Sequence, residues 1–176
     1  MAIVTLRALT ADDWRELRHI RLAALRSDPG MFFRSYADEV DQTEAQWIEL
    51  ASGDDAHQVF GVFDGARLVG ISGVFAEAAD PTGSTATFGM SYALAEYRHL
   101  GLIARLYQER LAWVRARPRF VRAVVGHRRS NEASRRAMER CGFRPLGVEP
   151  RRWHDGIDDD YLSYELLLRG ENTAET

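Results

Sequence analysis

Tyr97-Arg98-His99-Leu100-Gly101-Leu102 stands where a predicted strand ends and a helix begins, and Asn131-Glu132-Ala133-Ser134 opens a second helix about thirty residues later. The first N–H groups of a helix have no intrahelical partner, and the helix dipole favours an anion at that end. Gly101 lacks the Cβ that would obstruct a close approach to the turn. The two helix starts together predict a site for a phosphate-bearing ligand that lies across both.

The arginines of the chain are concentrated around these two helix starts. Residues 98–152 contain 15 arginines and four glutamates, a local charge of +11, although the whole chain of 176 residues has a net charge of −3. Such a block is either a solvated helical surface or a surface for a polyanion, and its coincidence with both helix starts favours the polyanion. Aromatic residues spaced for base stacking are absent, so no nucleic acid partner is expected.

Composition places the chain among soluble globular proteins. Its 45% hydrophobic and 28% charged residues are ordinary values, and its length fits one domain. No apolar run approaches the ~18 residues of a membrane span, and the first residues do not resemble a signal peptide. The single cysteine, Cys141, excludes an internal disulfide framework. We therefore expect a cytoplasmic protein with no membrane partner.

Hydrophobic periodicity predicts an alternation of strands and helices. Strands are expected at 3–8, 59–63, 68–71, 85–94, 120–125, 144–153 and 160–168, and helices at 10–28, 37–51, 101–117 and 131–141. Asp64-Gly65 is predicted as a two-residue hairpin turn, Gly89 as a bulge or close approach, and Gly142 as a helix C-cap. The pattern predicts a mixed α/β (α+β) sheet, with 1–168 as a single domain and 169–176 as a flexible tail.

Arg98 to Ile103 is similar to the signature Arg/Gln-x-x-Gly-x-Gly/Ala of the Gcn5-related N-acetyltransferase (GNAT) superfamily. The segment Gly142 to Arg151 and the loop Asp28-Pro29-Gly30-Met31-Phe32 look like those of its small bacterial single-domain members. The resemblance covers roughly residues 3–168 and implies the acyl-CoA N-acyltransferase fold. That fold is a mostly antiparallel sheet of about seven strands flanked by four helices, with a splayed parallel pair that holds the CoA.

The resemblance also implies roles for particular residues. Acetyl-CoA would be the cosubstrate, with its pyrophosphate on residues 98–104 and its thioester flanked by Asn131 and Ser134. The implied cofactor-binding residues are Tyr92, Ala93, Leu94, Arg98, His99, Leu100, Gly101, Leu102, Ile103, Ala104, Asn131, Ser134 and Arg135. The phosphates could also be bound by Arg128, Arg129 and Arg136.

Three positions depart from the superfamily pattern. Ile103 replaces the second small residue of the signature, and its side chain either crowds the pyrophosphate or turns toward the core. Gly126 stands where some relatives carry a glutamate base, and Met138 stands where a tyrosine often protonates the leaving thiolate. The usual proton carriers are therefore missing from their usual places.

Other side chains are candidate catalytic residues in place of these proton carriers. Ser134 lies one helical turn after Asn131 and could protonate the CoA thiolate. His127 has an ordinary pKa that suits a base at neutral pH, and Tyr161 or Asp160 could act through water from the last strand. Each of these side chains also has a purely structural interpretation, as a packed or surface residue.

The expected reaction is acetyl transfer from acetyl-CoA to a primary amine of a small molecule or peptide, by direct attack and without an acyl-enzyme. Acidic residues at 155, 158, 159 and 160 could attract a cationic acceptor, and the first two helices with the Pro29–Tyr36 loop would form the wall of its site. The alternative is a non-catalytic acyl-CoA-binding or regulatory protein of the same fold. No metal is expected, because the histidines show no ligand spacing. Relatives also imply a possible homodimer.

Overall fold

The computed structural model describes residues 4–169. Its strands are β1 Val4–Ala8, β2 His57–Asp64, β3 Arg67–Ala76, β4 Thr85–Ala93, β5 Arg122–Arg128, β6 Arg144–Arg152 and β7 Asp158–Leu167. Its α-helices are α1 Trp14–Ser27, α2 Tyr36–Glu39, α3 Glu44–Ser52, α4 Leu102–Arg115 and α5 Glu132–Arg140. The predicted start of the first strand at Ile3 and the tail from residue 170 onward lie outside the described residues.

The seven strands form one sheet in the order β1-β2-β3-β4-β5-β7-β6. Every neighbouring pair is antiparallel except β4 and β5, which are parallel. The connection between those two strands is α4, as parallel pairing requires a crossover. This arrangement confirms the predicted fold class, a mixed and mostly antiparallel sheet with one parallel pair.

Two apolar clusters lie on opposite faces of the sheet. One cluster packs α4 and α5 on the sheet through residues that include Leu106, Leu111, Phe88, Val125 and Met138. The other packs α1 and α3 on the opposite face, around the fully buried Leu17, Trp47 and Ile71. Helices therefore cover both faces of the sheet near β2 to β4.

Residues 37–51, which the periodicity predicts as one helix, form α2 and α3 separated by a turn. Ser35 and Asp38 form a capping box at the start of α2, and Thr43 and Gln46 form another at the start of α3. Five helices flank the sheet, one more than expected. The hairpin turn is also one residue further on, at Gly65-Ala66, where Gly65 has a φ of 58°.

A buried ion pair joins α1 to α2. Arg21 donates to Glu39 through two hydrogen bonds of 2.9 and 2.7 Å, and both side chains are about 5% exposed or less. Paired geometry of this kind offsets the cost of removing both charges from water. The pair joins the two helices that flank the loop of residues 28–35.

The end of α5 follows the prediction for Gly142. This glycine has a φ of 85°, its N–H donates to Glu139 at 3.0 Å, and the N–H of Phe143 donates to Met138 at 3.2 Å. These two bonds form a Schellman motif, in which only glycine adopts the left-handed position without strain. Within the described residues, no helix is both long and apolar enough to cross a membrane.

Asp13 is expected to make stability depend on pH, because its carboxylate accepts hydrogen bonds from Arg7 and from the Thr10 N–H. The pKa of the Asp13 carboxyl is lowered from 3.8 to about 2, and the hydrogen bond from Arg7 is the main cause. Since the pKa is lower in the folded state, this stabilisation is present above pH 3.8 and is lost as pH falls through 2. Asp13→Asn should lower the free energy of unfolding by about 1–2 kcal/mol at neutral pH.

The measurement is urea denaturation of wild type and Asp13→Asn between pH 7 and pH 3. The difference between the two proteins should shrink below pH 4. Asp12→Asn, an exposed carboxylate in the same turn, is the matched control and should behave like wild type. A deficit for Asp13→Asn that is the same at every pH would contradict the assignment.

Candidate active site

The parallel pairing of β4 with β5 stops halfway along both strands. The register runs from Thr85 opposite Arg122 to Phe88 opposite Val125, yet β4 continues to Ala93 and β5 to Arg128. The last residues of the two strands therefore diverge. We call the space between residues 89–93 and residues 126–128 the β4–β5 gap.

A β-bulge in β4 accompanies this divergence. Gly73 faces Gly89 and Ile71 faces Tyr92, so Met90 and Ser91 together face only Ser72. Met90 has a φ of 58° and is the one non-glycine residue with a positive φ in the described chain. A bulge bends its strand and increases the local twist, which turns the end of β4 away from β5. The predicted irregularity near Gly89 is thus confirmed, one residue further along.

The start of α4 lies directly beyond the end of β4. Residues 95–100 form a 3-10 turn, and Gly101 follows with φ 67° and ψ 19°. This helix start has no side-chain cap, and the N–H groups of residues 102–104 have no acceptor among residues 4–169. The space where a Cβ of Gly101 would lie is open to 4 Å. These free donors at an open helix N-terminus form a site for an anion.

The start of α5 lies beyond the end of β5. The Asn131 side chain accepts a hydrogen bond of 3.2 Å from the Ser134 N–H, and its Nδ2 lies 3.7 Å from the sulfur of Met31. Asn131 and Ser134 are both half-buried. The second predicted motif is therefore a capped helix start, and both helix starts follow strands that border the β4–β5 gap.

Most of the arginines that the sequence assigned to phosphates contact protein groups instead. Arg98 donates to the Ala93 carbonyl and to Asp28, each at 3.0 Å. Arg128 is buried, and it donates to Asp155 at 2.5 Å and to Asp159 at 3.0 Å. Arg129 pairs with Asp160, and Arg136 pairs with Glu132.

Three cationic or titratable side chains near the helix starts have no carboxylate partner in the part of the chain that the structure describes. These are His99, Arg105 and Arg135, all exposed. The Asp155–Asp160 cluster, in turn, is not a free acidic surface, because Arg152 pairs with Asp158 at 2.8 Å and Arg128 and Arg129 take the other carboxylates. The acidic cluster is thus paired with arginines of the same charge block.

Tyr161 fills the space that Gly126 leaves. The two residues lie on neighbouring strands, and the Tyr161 hydroxyl occupies the position that a Cβ of residue 126 would take. Its ring contacts Phe33 with centroids 4.6 Å apart. Burial raises the pKa of the hydroxyl, so it is neutral at physiological pH. We call this side of the sheet, which also carries Arg128 and the loop after α1, the Tyr161 face.

His127 points to the opposite side of the sheet, toward α4 and α5. It is 5% exposed and stacks on Tyr164 with ring centroids 5.4 Å apart. Burial lowers the pKa of its imidazole, which makes it a weaker base than the sequence analysis expected. His127 and Tyr161 therefore lie on different sides of β5 and do not act on the same point in space.

The two remaining departures from the signature lie in or against the core. Met138 is fully buried within the cluster under α4 and α5. Ile103 is half-buried and packs against that same cluster, which supports the interpretation that its side chain turns toward the core. Among the described residues, no group of three or more His, Cys, Asp or Glu side chains could hold a metal ion.

The loop after α1 was not assigned a contact with either motif by sequence reasoning, yet it touches both. Asp28 binds Arg98 beside the start of α4, and the Gly30 carbonyl accepts from Arg128 at 3.4 Å. A Cβ at Gly30 would collide with Asp155 and Arg128. Phe33 lies in the same loop, is 46% exposed and borders Tyr161. No periodicity or spacing in the sequence indicates these long-range contacts.

A separate cleft lies beside this site. It measures about 510 Å³ and lies along β6 and β7, between Pro150–Arg152 and Asp158–Asp160. Its carboxylates are those already paired with arginines. The free donors at the start of α4 therefore point to the β4–β5 gap as the functional site.

Solved structures of acetyltransferases share this architecture. The Salmonella typhimurium protein yncA, solved with its cofactor acetyl-CoA, superposes with a TM-score of 0.80 at 17% identity over 98% of each chain. A GNAT-family acetyltransferase from Streptococcus pneumoniae gives 0.79 at 18% identity, over 93% of this chain and 98% of the other. Spermidine N-acetyltransferase from Vibrio cholerae, in complex with CoA and spermine, gives 0.74 at 20% identity, over 94% and 95%.

Sequence comparison gives the family itself. No curated protein sequence matches the chain. The family model described as the acetyltransferase (GNAT) domain, however, matches residues 4–144, from the first strand through both helix starts. The uncapped start of α4, the divergent end of β4 and the capped start of α5 all fall within that match. The chain therefore belongs to the GNAT acetyltransferase family, whose acetyl donor is acetyl-CoA.

Proposed function

We propose that this protein is an N-acetyltransferase that moves the acetyl group of acetyl-CoA to a primary amine by direct attack in a ternary complex. The observation that carries the proposal is the β4–β5 gap, which opens onto both helix starts on one side and onto the Tyr161 face on the other. A cosubstrate bound along the gap can meet an acceptor from the opposite face. No covalent acyl-enzyme is needed for that geometry.

The start of α4 would hold the pyrophosphate of acetyl-CoA. Residues 102–104 supply free N–H donors, and Gly101 leaves the approach open. Exposed side chains nearby could neutralise the other phosphate groups of the cosubstrate; these are His99, Arg105 and Arg135. The pantetheine arm would then follow the edge of β4 at residues 92–94, which has no strand partner on its β5 side among the described residues. The thioester would arrive between Asn131 and Ser134.

The amine would approach on the Tyr161 face. Its nitrogen lone pair attacks the acetyl carbonyl carbon, the carbon–sulfur bond breaks, and the CoA thiolate leaves while the new amide loses a proton. Tyr161 is neutral, so its oxygen can accept a hydrogen bond from the amine and orient the attack. The Ser134 hydroxyl is the donor that would protonate or hydrogen-bond the thiolate. A neutral amine needs only modest base assistance.

The charge of the Tyr161 face and the substrate of one relative both support a cationic amine as the acceptor. Glu149 lies directly opposite Tyr161 on β6 and is exposed, and Glu77 binds Thr87 on β4. These carboxylates favour an acceptor that carries positive charge. The Vibrio cholerae relative acetylates spermidine, a polyamine, which supports amines as acceptors. Small-molecule amines and peptide amines both fit this surface, and the homodimer stays a prediction.

Thermal-shift titration with acetyl-CoA, followed by a free-thiol release assay over a panel of amines, tests the proposed function. We expect acetyl-CoA to raise the melting temperature and at least one cationic amine to release CoA thiol. The absence of a shift at millimolar acetyl-CoA would refute the proposal. A shift without thiol release over a broad panel would favour the non-catalytic CoA-binding alternative.

Gly101→Ala tests the anion site at the start of α4. Gly101 has a φ of 67° and open space around its Cβ position, so the new methyl group strains the backbone and narrows the approach. Strain of this kind costs about 1–2 kcal/mol. We also expect the Kd for acetyl-CoA to rise by about fivefold or more, as measured by isothermal titration calorimetry.

Gly83→Ala is the matched control for that variant. Gly83 has a φ of 65° and the same open surroundings, but it lies in the loop between β3 and β4. It should lose a similar amount of stability and keep wild-type acetyl-CoA affinity. Equal affinity for the two variants would place the phosphates elsewhere.

Tyr161→Phe tests the acceptor side. The substitution keeps the ring against Phe33 and removes only the hydroxyl. We expect kcat to fall by roughly 10²-fold while the KM for acetyl-CoA stays unchanged, because the hydroxyl faces the amine and not the cosubstrate. Initial rates of thiol release give both constants. Tyr164→Phe, three residues along the same strand and on the other face, is the control, and an equal loss of kcat there would contradict the role.

A further inference from the structure

Glu77 carries a half-buried carboxylate that forms no ion pair. It directly follows β3, and its Oε1 accepts a hydrogen bond of 3.1 Å from the Ala79 N–H. Its Oε2 accepts another from the Thr87 hydroxyl on β4. Both donors are neutral, and Glu77 takes part in none of the ion pairs among residues 4–169. The carboxylate is therefore held in one place, and its charge has no counterion there.

The contact with Thr87 places this carboxylate on the Tyr161 face. Thr87 lies opposite Val124, which is two residues before Gly126, and residues two apart in a strand share a face. The Tyr161 side chain fills the space above Gly126, so the Thr87 and Glu77 side chains lie on the same side of the sheet. Burial is the main cause of the raised pKa of Tyr161, and the negative charge of Glu77 adds to it.

A narrow opening crosses this face beside the carboxylate. Gly89 is the first residue of β4 beyond the parallel ladder, and the space where its Cβ would lie is open to 4 Å. At Gly73, opposite it on β3, the same space is filled by the Phe75 ring. At Gly126, on β5, it is filled by the Tyr161 hydroxyl. We call the opening between these two aromatic side chains the Gly89 slot. It connects the Tyr161 face with the start of the β4–β5 gap.

The Glu77 carboxylate lies at one end of the slot, at a distance that suits a reacting amine. Thr87, which holds the carboxylate, precedes Gly89 by two residues, or roughly 7 Å along a strand. A hydrogen bond of about 3 Å and an attack distance of about 3–3.5 Å together span that length. One nitrogen in the slot can therefore contact both the carboxylate and a carbonyl carbon at the start of the gap.

We propose that Glu77 is the catalytic base of the acetyl transfer and that the acceptor enters the Gly89 slot as an ammonium ion. This inference rests on the proposed function, because it requires the acetyl thioester to lie in the β4–β5 gap. The carboxylate takes one proton from the ammonium, and the freed lone pair bonds to the acetyl carbon as the carbon–sulfur bond breaks. A second proton from the nitrogen is balanced by protonation of the thiolate. The products are the amide, the CoA thiol and a protonated Glu77, which then loses its proton to solvent.

Four other charged or titratable side chains, besides the neutral phenol in the slot, lie near Glu77, and their contacts are already made. Arg122 and Glu165 pair with each other at 3.5 Å. His57 contacts a carboxylate and a backbone carbonyl, and Asp80 accepts hydrogen bonds from hydroxyls of the loop before β4. Of these groups, Glu77 combines a place beside the slot with a charge that no cation pairs.

The pH dependence of kcat/KM tests this role, with the fastest acceptor among putrescine, spermidine, benzylamine and lysine amide. If Glu77 deprotonates the bound ammonium, wild-type kcat/KM should be nearly constant from pH 6 to pH 8. Glu77→Gln depends on the small fraction of free amine. Its kcat/KM should therefore be about 10²-fold lower at pH 7 and should rise about tenfold per pH unit.

Glu165→Gln is the matched control, because that carboxylate lies on the same face but is paired with Arg122. It should keep the constant wild-type profile, and both variants should keep the wild-type Kd for acetyl-CoA. A Glu77→Gln profile as constant as that of wild type would overturn the inference. A loss of the same size at every pH would do so too, because it would indicate a structural role.

The wild-type measurements separate failure of this inference from failure of the proposed function. If calorimetry shows no binding of acetyl-CoA, the proposed function fails. If wild type acetylates an amine and its own kcat/KM already rises tenfold per pH unit, the amine reacts without a base, and only the inference is overturned.

Glu77→Asp replaces Glu77→Gln if the latter does not fold. It keeps the charge and withdraws the carboxylate by one methylene. Its kcat/KM should fall by about tenfold or more while the profile stays constant, and an undiminished kcat/KM would overturn the inference.

Discussion

The end of the parallel ladder after Phe88 and Val125 is the constraint on which the rest of this structure depends. Beyond it, the bulge at Met90 and Ser91 turns β4 away, and β5 keeps its pairing with β7 alone. Two strands that diverge leave backbone groups unpaired at the centre of a sheet, which is unfavourable unless another molecule pairs with them. A cosubstrate with amides along its length is suited to that place.

The diverging strands also determine where the two helices begin. Parallel strands point their carboxyl ends the same way, so the chain leaves β4 and β5 at one edge of the sheet and starts α4 and α5 side by side. One helix start is uncapped and the other is capped by Asn131. The first has free backbone donors for an anion, whereas the second, in the complex we propose, would present side chains to the end of the same ligand.

Internal ion pairs and hydrogen bonds connect the loop after α1 to both halves of this arrangement. Arg128, buried at the end of β5, binds Asp155 in the turn between β6 and β7, Asp159 in β7, and the carbonyl of Gly30. Arg98 binds Asp28 two residues earlier in the same loop. A buried guanidinium needs several oxygen partners to offset its loss of water, so these contacts are geometrically demanding. The loop after α1 is therefore held against both halves of the site.

The sequence by itself determined the order of the strands and helices, the two helix starts and the family resemblance. Those features are local, because hydrophobic period, glycine at a left-handed turn and Asn at a helix cap act over a few residues. The sequence also indicated the irregularity near Gly89 but could not show that it separates two strands. It predicted one helix over residues 37–51, since two short helices with one apolar face have the same period as a single long one.

Only the tertiary structure decided which charged and titratable residues are free to act. The sequence suggested that three arginines could bind phosphates, but aspartates from distant segments form ion pairs with all of them: Arg98, Arg128 and Arg129. In the sequence, Gly126 lacks the glutamate side chain that some relatives carry at this position. In the structure, the Tyr161 side chain from β7 occupies that space. His127 and Tyr161 looked like alternatives, yet β5 separates them, because neighbouring strands and the faces of a sheet are set by pairing between distant segments. Contacts of that kind leave no periodic signal in the chain.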